Sequence, residues 1–135
     1  MEKLKIPAKI ENLNEVISCL DNFLESCDCS LKTQMQLDIA VEEIFVNIAH
    51  YAYGEDVGTA EIYFELSSDK KKISVKFVDN GMPYDPSKKE DPDITLSAEE
   101  RNIGGLGIYM VKKSMDKMEY EYKDGKNILL IEKFL

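Results

Sequence analysis

Glu43 and Asn47 are spaced to do chemistry together. They lie four residues apart in AVEEIFVNIAHYAY, Ala40 to Tyr53, among Val41, Ile44, Phe45, Val46 and Ile48. Residues so spaced share a helix face, and a charge or amide set among apolar neighbours is costly unless something pairs with it. A carboxylate there can serve as a general base. A carboxamide oxygen one turn on can ligate a hard cation such as Mg²⁺. Gln36 and His50 prolong the polar stripe, flanked by Ala40, Ile44 and Tyr51 on one side and by Ile39 and Val46 on the other. Asp38 and Glu42 are expected to point elsewhere, toward water. By itself the stripe fits a solvated helix face as well as a pocket wall.

Two further segments carry candidate chemistry. VDNGMP, Val78 to Pro83, follows a run rich in Val and Phe. Asn-Gly is a strong turn dipeptide, so a plain turn accounts for it. It also sets Asp79 at a strand's end, where the carboxylate can accept a hydrogen bond from a ligand amine. Gly81 would let backbone come close to a flat ring. GGLGIYMV places Gly104, Gly105 and Gly107 just ahead of a helix, where bare N–H groups and the helix dipole favour an anion. No Gly-Lys-Ser/Thr follows, so it is not a P-loop, and it opens no dinucleotide-binding unit. A flexible hinge is the other reading.

These residues need elements to position them. Leu4, Ile6, Ala8 and Ile10 alternate as in a half-buried strand, with Pro7 marking an edge. From Asn12 to Cys27 apolar residues recur at three- and four-residue steps, an amphipathic helix. Ser30 is placed to cap a second helix running to about Tyr53. TAEIYFEL and KISVKFVD read as strands around SSDKKK, and KMEYEY and NILLIEKFL as a hairpin around KDGK. Between them run a long charged, Pro-containing segment, with a short helix around ITLSAEERN, and a third helix with Ile108, Val111 and Met115 on one face. The order β-α-α-β-β-loop-α-β-β implies an α+β fold. It predicts a two-layer sandwich with three main helices on one face of a mixed or antiparallel sheet.

Composition narrows the function classes. The chain has 135 residues, 44% hydrophobic and 32% charged, which suits a single globular domain over residues 1–135. Its formal net charge of −9 argues against direct nucleic-acid binding and against a phosphate site built from many lysines. Cys19, Cys27 and Cys29 form no CxxC pair and read as reduced thiols, and the lone His50 makes no His-rich metal site. No apolar run nears the roughly 20 residues of a membrane span, and MEKLKIPAKI has no signal-peptide core. A cytoplasmic protein with no membrane association is expected.

No one of these signals identifies a protein; their order narrows the choice. A helix bearing E-x-x-x-N, a strand ending in D-x-G, a long loop and G-x-G opening a helix resemble the GHKL ATPase superfamily, the Bergerat nucleotide-binding fold. The resemblance covers essentially the whole chain. VEEIFVNIAHYAY and ERNIGGLGIYMVKKSMD are most similar to the anti-sigma-factor serine-protein kinases. The resemblance implies that Glu43 is the general base and Asn47 the Mg²⁺ ligand. It implies that Asp79 receives the adenine amino group, with Gly81 two residues on. Gly105 and Gly107 would close over the phosphates, and the segment from about Tyr84 to Gly104 would be the ATP lid. Two positions depart from the pattern. Tyr51 stands where relatives often carry His, so His50 inherits no role. Lys126 and Asn127 stand where a Thr commonly touches the adenine region, and Asn127 could supply an equivalent hydrogen bond.

The implied function is ATP- and Mg²⁺-dependent transfer of a phosphoryl group to a serine of a STAS-fold antagonist, with a sigma factor as competing partner and a homodimer as the family expectation. The alternative is an ATP-binding interaction module that sequesters a partner without kinase activity. A sensor histidine kinase is not expected, since it needs a phosphoacceptor-helix domain. The helix register itself makes a prediction: Glu43→Ala should abolish phosphotransfer while Glu42→Ala leaves it within about twofold, the span expected of a surface change. Equal damage from both, in a labelled-ATP transfer assay, would mean the register is wrong.

Overall fold

The computed structural model describes residues 1–54, 56, 58–86 and 105–135. Strand β1 (Glu2–Pro7) leads through a 3-10 turn (Ile10–Asn12) into helix α1 (Leu13–Ser26) and helix α2 (Leu31–Tyr51). Strands β2 (Thr59–Leu66) and β3 (Lys72–Asp79) follow, then helix α3 (Gly105–Ser114) and strands β4 (Lys117–Lys123) and β5 (Lys126–Phe134). The strands form one sheet in the order β1-β2-β3-β5-β4, and every neighbouring pair is antiparallel. Pro7 does lie on an edge strand. That strand is shorter than the alternation suggested, since Ile10 is exposed and starts the 3-10 turn. The short helix expected around ITLSAEERN lies outside the described residues, as does Gly104.

The α+β sandwich is built by period-two burial on the sheet meeting helical periods above it. Ile62 and Phe64 on β2, Ile73, Val75 and Phe77 on β3, and Leu129 and Ile131 on β5 point to one side and are buried. Against them pack Val16, Leu20 and Leu24 of α1, and Leu37, Val41, Ile44 and Phe45 of α2. Val111 of α3 and Met115 just after it join the same core, and Ile108 of α3 is also buried. Phe23 stacks on Phe64 with ring centroids 5.8 Å apart, fastening α1 to β2. Ser30 caps α2 as expected, its Oγ accepting from the Thr33 N–H at 3.1 Å.

The inward rows of β3 and β5 end in polar residues. The alternation Ile73, Val75, Phe77 continues to Asp79, and Ile131, Leu129 continues to Asn127. Register then sets Asp79 directly opposite Asn127. Sheet geometry alone therefore delivers two polar side chains to one end of the interhelical space.

One expectation about α2 is overturned. Asp38 is not turned fully to water: the residue is half-buried, and its Oδ1 is buried with no hydrogen-bond donor among the described residues, on the helix that packs against α1. Asp21 of α1, which accepts from Gln34 Nε2 at 3.3 Å, is its neighbour, and Glu42 adds negative charge. Two ionised carboxylates cannot hydrogen-bond each other, whereas a proton on Asp38 gives the pair a donor. Burial first, then Asp21 and Glu42, push the Asp38 carboxyl up to about 7. In the unfolded chain it returns to its ordinary 3.8. Between those values the folded state holds the extra proton, so stability falls as pH rises through the window and levels off above it. An Asp38→Asn variant, which keeps a donor at every pH, should lose this dependence. Urea midpoints at about pH 5 and about pH 8 measure it; equal midpoints in the parent protein would contradict the pairing.

Candidate functional site

Helix α2 spends one face on the core and a neighbouring one on a cleft. Ala40, Ile44, Phe45 and Asn47 are buried, while Ile39 is 55% exposed and Tyr51 42%. The polar stripe thus has a core flank and an open flank, not two apolar walls as the sequence suggested. Within it, Glu43 and Asn47 meet: Asn47 Nδ2 donates to Glu43 Oε1 at 3.3 Å. Among the described residues nothing donates to Asn47 Oδ1, so the amide presents its oxygen outward. Asn47 is only 6% exposed, and orienting its amide this way needs the carboxylate one turn earlier. His50 and Gln36 take no part in the cleft; His50 is exposed, edge-on to Tyr51 at 6.0 Å.

The cleft itself lies between α2 and the ends of β3, β4 and β5. Its apolar walls are Ile44, Ile48 and Ala52 of α2 and the residue after it, Phe77 and Leu129 of the sheet, and Met82 and Pro86 beyond β3. Asn47, Asp79, Tyr84, Tyr120 and Asn127 supply its polar edges. The space within it open to a water-sized sphere is about 30 Å³, so without a ligand the cleft is a narrow slot.

Asp79, 5% exposed, is the buried acid of the cleft. Its Oδ1 accepts from the Gly81 N–H at 2.8 Å and from Asn127 Nδ2 at 2.9 Å. No described residue donates to Oδ2, so that oxygen is left for a ligand. Burial pushes the Asp79 carboxyl above its ordinary value, and the Asn127 and Gly81 donors pull it partly back. Asn127 lines the cleft, but its polar atoms are engaged within the protein. Nδ2 also donates to the Met82 carbonyl at 2.8 Å, and Oδ1 accepts from the Tyr84 N–H at 3.1 Å and from the Tyr120 hydroxyl.

The glycines are required by the protein's own atoms. A Cβ at Gly81 would overlap the Ala52 carbonyl oxygen, so the backbone there closely approaches the end of α2. Met82 N–H donates to that same carbonyl at 2.7 Å. A Cβ at Gly107 would overlap the Glu43 carboxylate. Gly107 thus admits Glu43 to the first turns of α3, and Gly105 is that helix's first residue. Sequence reading missed Tyr53, whose hydroxyl donates to the Thr59 carbonyl at 2.6 Å and accepts from the Asn80 N–H at 2.9 Å, tying the segment after α2 to the Asp79 turn. It also missed Tyr120, although the alternation Met118, Tyr120, Tyr122 offered a signal.

These parts fit a magnesium nucleotide. An outward amide oxygen suits a cation that keeps most of its waters, the open Asp79 oxygen suits an amine, and the apolar walls suit a flat base. Among the described residues no cluster of three or more acidic, His or Cys side chains could hold a metal alone. No helix among them is long and apolar enough to cross a membrane.

The chain belongs to the histidine kinase-like ATPase domain family, which it matches over residues 6–133. Within it, the chain is 30% identical over 132 residues to the serine-protein kinase RsbW of Bacillus cereus, covering 95% of this chain and 81% of that one. The RsbW of Bacillus mycoides matches to the same extent. Among solved structures, the RsbU and RsbW domains of a Mycobacterium tuberculosis protein superpose with a TM-score of 0.65 at 14% identity, over 99% of this chain. The histidine kinase domain of a blue-light-activated Erythrobacter litoralis kinase gives 0.55 at 15%, over 89%. The chain spans a third of the former solved chain and 58% of the latter, and at such identity both speak for the fold alone.

The two glycines should fail differently. Gly81→Ala meets backbone and should cost about 1–3 kcal/mol of stability, as overpacking does. Gly107→Ala meets only the end of a flexible side chain, so it should displace the Glu43 carboxylate, leaving the melting temperature nearly unchanged and cutting phosphotransfer. Parallel melting curves and transfer assays decide; a larger stability loss at Gly107 than at Gly81 would refute the packing described.

Proposed function

We propose that the chain is an ATP-dependent protein serine kinase of the anti-sigma type, formed by one domain over residues 1–135. The observation that carries this reading is the Glu43–Asn47 hydrogen bond at the rim of a cleft whose buried end is Asp79. Asp79 Oδ2 accepts the amino group of the adenine. Asn47 Oδ1 serves as the protein's ligand to Mg²⁺, which when bound neutralises charge on the phosphates. Gly105 and Gly107 offer α3 backbone to those phosphates, with Gly107 beside Glu43. With the formal charge at −9, backbone N–H groups and the cation, not a lysine cluster, offset the triphosphate.

Glu43 then has a defined task. A serine hydroxyl of the partner, held beside the carboxylate, is oriented and gives up its proton to it as the serine oxygen bonds to the γ-phosphorus. The bond from that phosphorus to the β–γ bridging oxygen breaks and ADP leaves. Most of the rate gain in such transfers comes from positioning and charge stabilisation, which is why a carboxylate fixed by an amide suits the role. The partner proposed is a STAS-fold antagonist, with a sigma factor competing for the unphosphorylated state, in a cytoplasmic and homodimeric kinase.

Incubation with labelled ATP and a cognate STAS protein tests the proposal. The parent protein should transfer label to a serine. Glu43→Gln should lower the rate by about 10² or more, as loss of a positioned base does. Asn47→Ala should abolish Mg²⁺-dependent ATP binding in calorimetry. Binding by the parent without transfer would replace the kinase with a nucleotide-binding interaction module.

A further inference from the structure

We infer that Asn127 and Tyr120 form a clasp that sets which oxygen of Asp79 meets the base, making them specificity-determining residues that do not touch nucleotide themselves. The inference rests on the nucleotide reading above and deepens it. A carboxamide has two N–H donors and two acceptor lone pairs. Those of Asn127 are filled: Nδ2 serves Asp79 Oδ1 and the Met82 carbonyl, and Oδ1 receives the Tyr84 N–H and the Tyr120 hydroxyl. The longer approach of Nδ2 to the Gly81 carbonyl, 3.4 Å, adds no open position. At 6% exposure the side chain has little contact with water.

The clasp has a fixed sense. Turning the amide over would set its oxygen against the Asp79 carboxylate and the Met82 carbonyl, and its NH₂ against the Tyr84 N–H. All of those contacts are repulsive. The Tyr120 hydroxyl, reaching across from β4, donates to the oxygen in the observed sense; able to accept as well, it holds the clasp closed without choosing its sense. A serine or threonine hydroxyl has one donor and could serve only one of Asp79 and Met82.

Two consequences follow for the base. Asp79 Oδ1 is filled by Asn127 and Gly81, so Oδ2 alone faces the ligand, as an acceptor. A base presenting an amine there is accepted, and one presenting a carbonyl, such as hypoxanthine, is refused. Taking away the Asn127 donor makes Asp79 easier to protonate, and a protonated Asp79 can donate to that carbonyl. Loss of the clasp therefore weakens ATP binding and relaxes discrimination against inosine triphosphate, most at low pH.

Two measurements test this. In the unliganded protein, carboxyl-carbon NMR should show the Asp79 titration moving up by about one pH unit or more in Asn127→Leu, and by less in Tyr120→Phe. In calorimetry with Mg-ATP and Mg-inosine triphosphate, Asn127→Leu should lose roughly tenfold in ATP affinity, the worth of one hydrogen bond to a charged group. Its preference for ATP over inosine triphosphate should shrink. Asn127→Asp should bind ATP as poorly as Asn127→Leu at about pH 8 and recover toward the parent at about pH 6, where a shared proton restores the donor to Asp79. Affinities are taken relative to the parent at each pH, which cancels titration of the phosphates. Recovery on acidification is something a merely structural role would not produce. An unmoved Asp79 titration, or an Asn127→Asp affinity independent of pH, overturns the clasp. Should the parent not bind Mg-ATP at all, the nucleotide reading falls and takes the specificity role with it, while the NMR titration still decides whether Asn127 controls Asp79.

Discussion

A buried carboxylate that must stay able to accept a hydrogen bond is the constraint around which this structure is arranged. Asp79 ends an inward row of apolar side chains, where solvation of a charge is poor. Leaving it bare would cost several kcal/mol or force it to take up a proton. The fold answers with donors of fixed position: a turn that returns the Gly81 N–H to Oδ1, and a cross-strand amide at the directly opposed position of β5. Both depend on the sheet. The turn needs β3 to end where it does, and the amide needs β5 in this register and no other, since a one-residue slip would send Asn127 to the outer face.

Helix α2 carries the other half of the site on the same terms. Its apolar face is held by the sheet and by α1, which fixes its rotation, and rotation decides whether Glu43 or Glu42 reaches the cleft. Glu43 is partly buried against Asn47 and Gly107, whereas Glu42 is exposed. Core packing is therefore what selects between two adjacent, chemically identical side chains. The same packing leaves Asp38 against α1, where its negative charge is a burden that a proton relieves.

Much of this was legible in the sequence where the signal is local. Helical periodicity gave α1 and α2 nearly to the residue, Ser30 announced its cap, and D-x-G after a Val- and Phe-rich run placed Asp79 at a strand's end. The order of motifs carried the family. What stayed hidden depends on partners far along the chain. Asp38 seemed solvent-facing because its neighbour Asp21 sits on another helix, and no periodicity reports a helix–helix contact. The Asp79–Asn127 pair spans 48 residues and exists only through strand register. Nothing local to Gly81 tells that the Ala52 carbonyl needs its missing Cβ, since that atom is brought there by the end of α2. A glycine tells of a close approach without telling to what.

That last contact makes α2 a gauge. The helix is stopped at its C-terminal end, where the Ala52 carbonyl abuts Gly81 and receives the Met82 N–H. Asn47 stands five residues before the stop, about 7.5 Å along the axis at the usual helical rise. The Asp79 turn is fastened to the same end. The spacing between the Asp79 and Asn47 ends of the cleft is thus set by a count of residues in one rigid rod. A residue inserted between positions 47 and 52 would lengthen that rod by about 1.5 Å and swing Asn47 round by roughly 100°, so the length of the site can change only in whole helical steps.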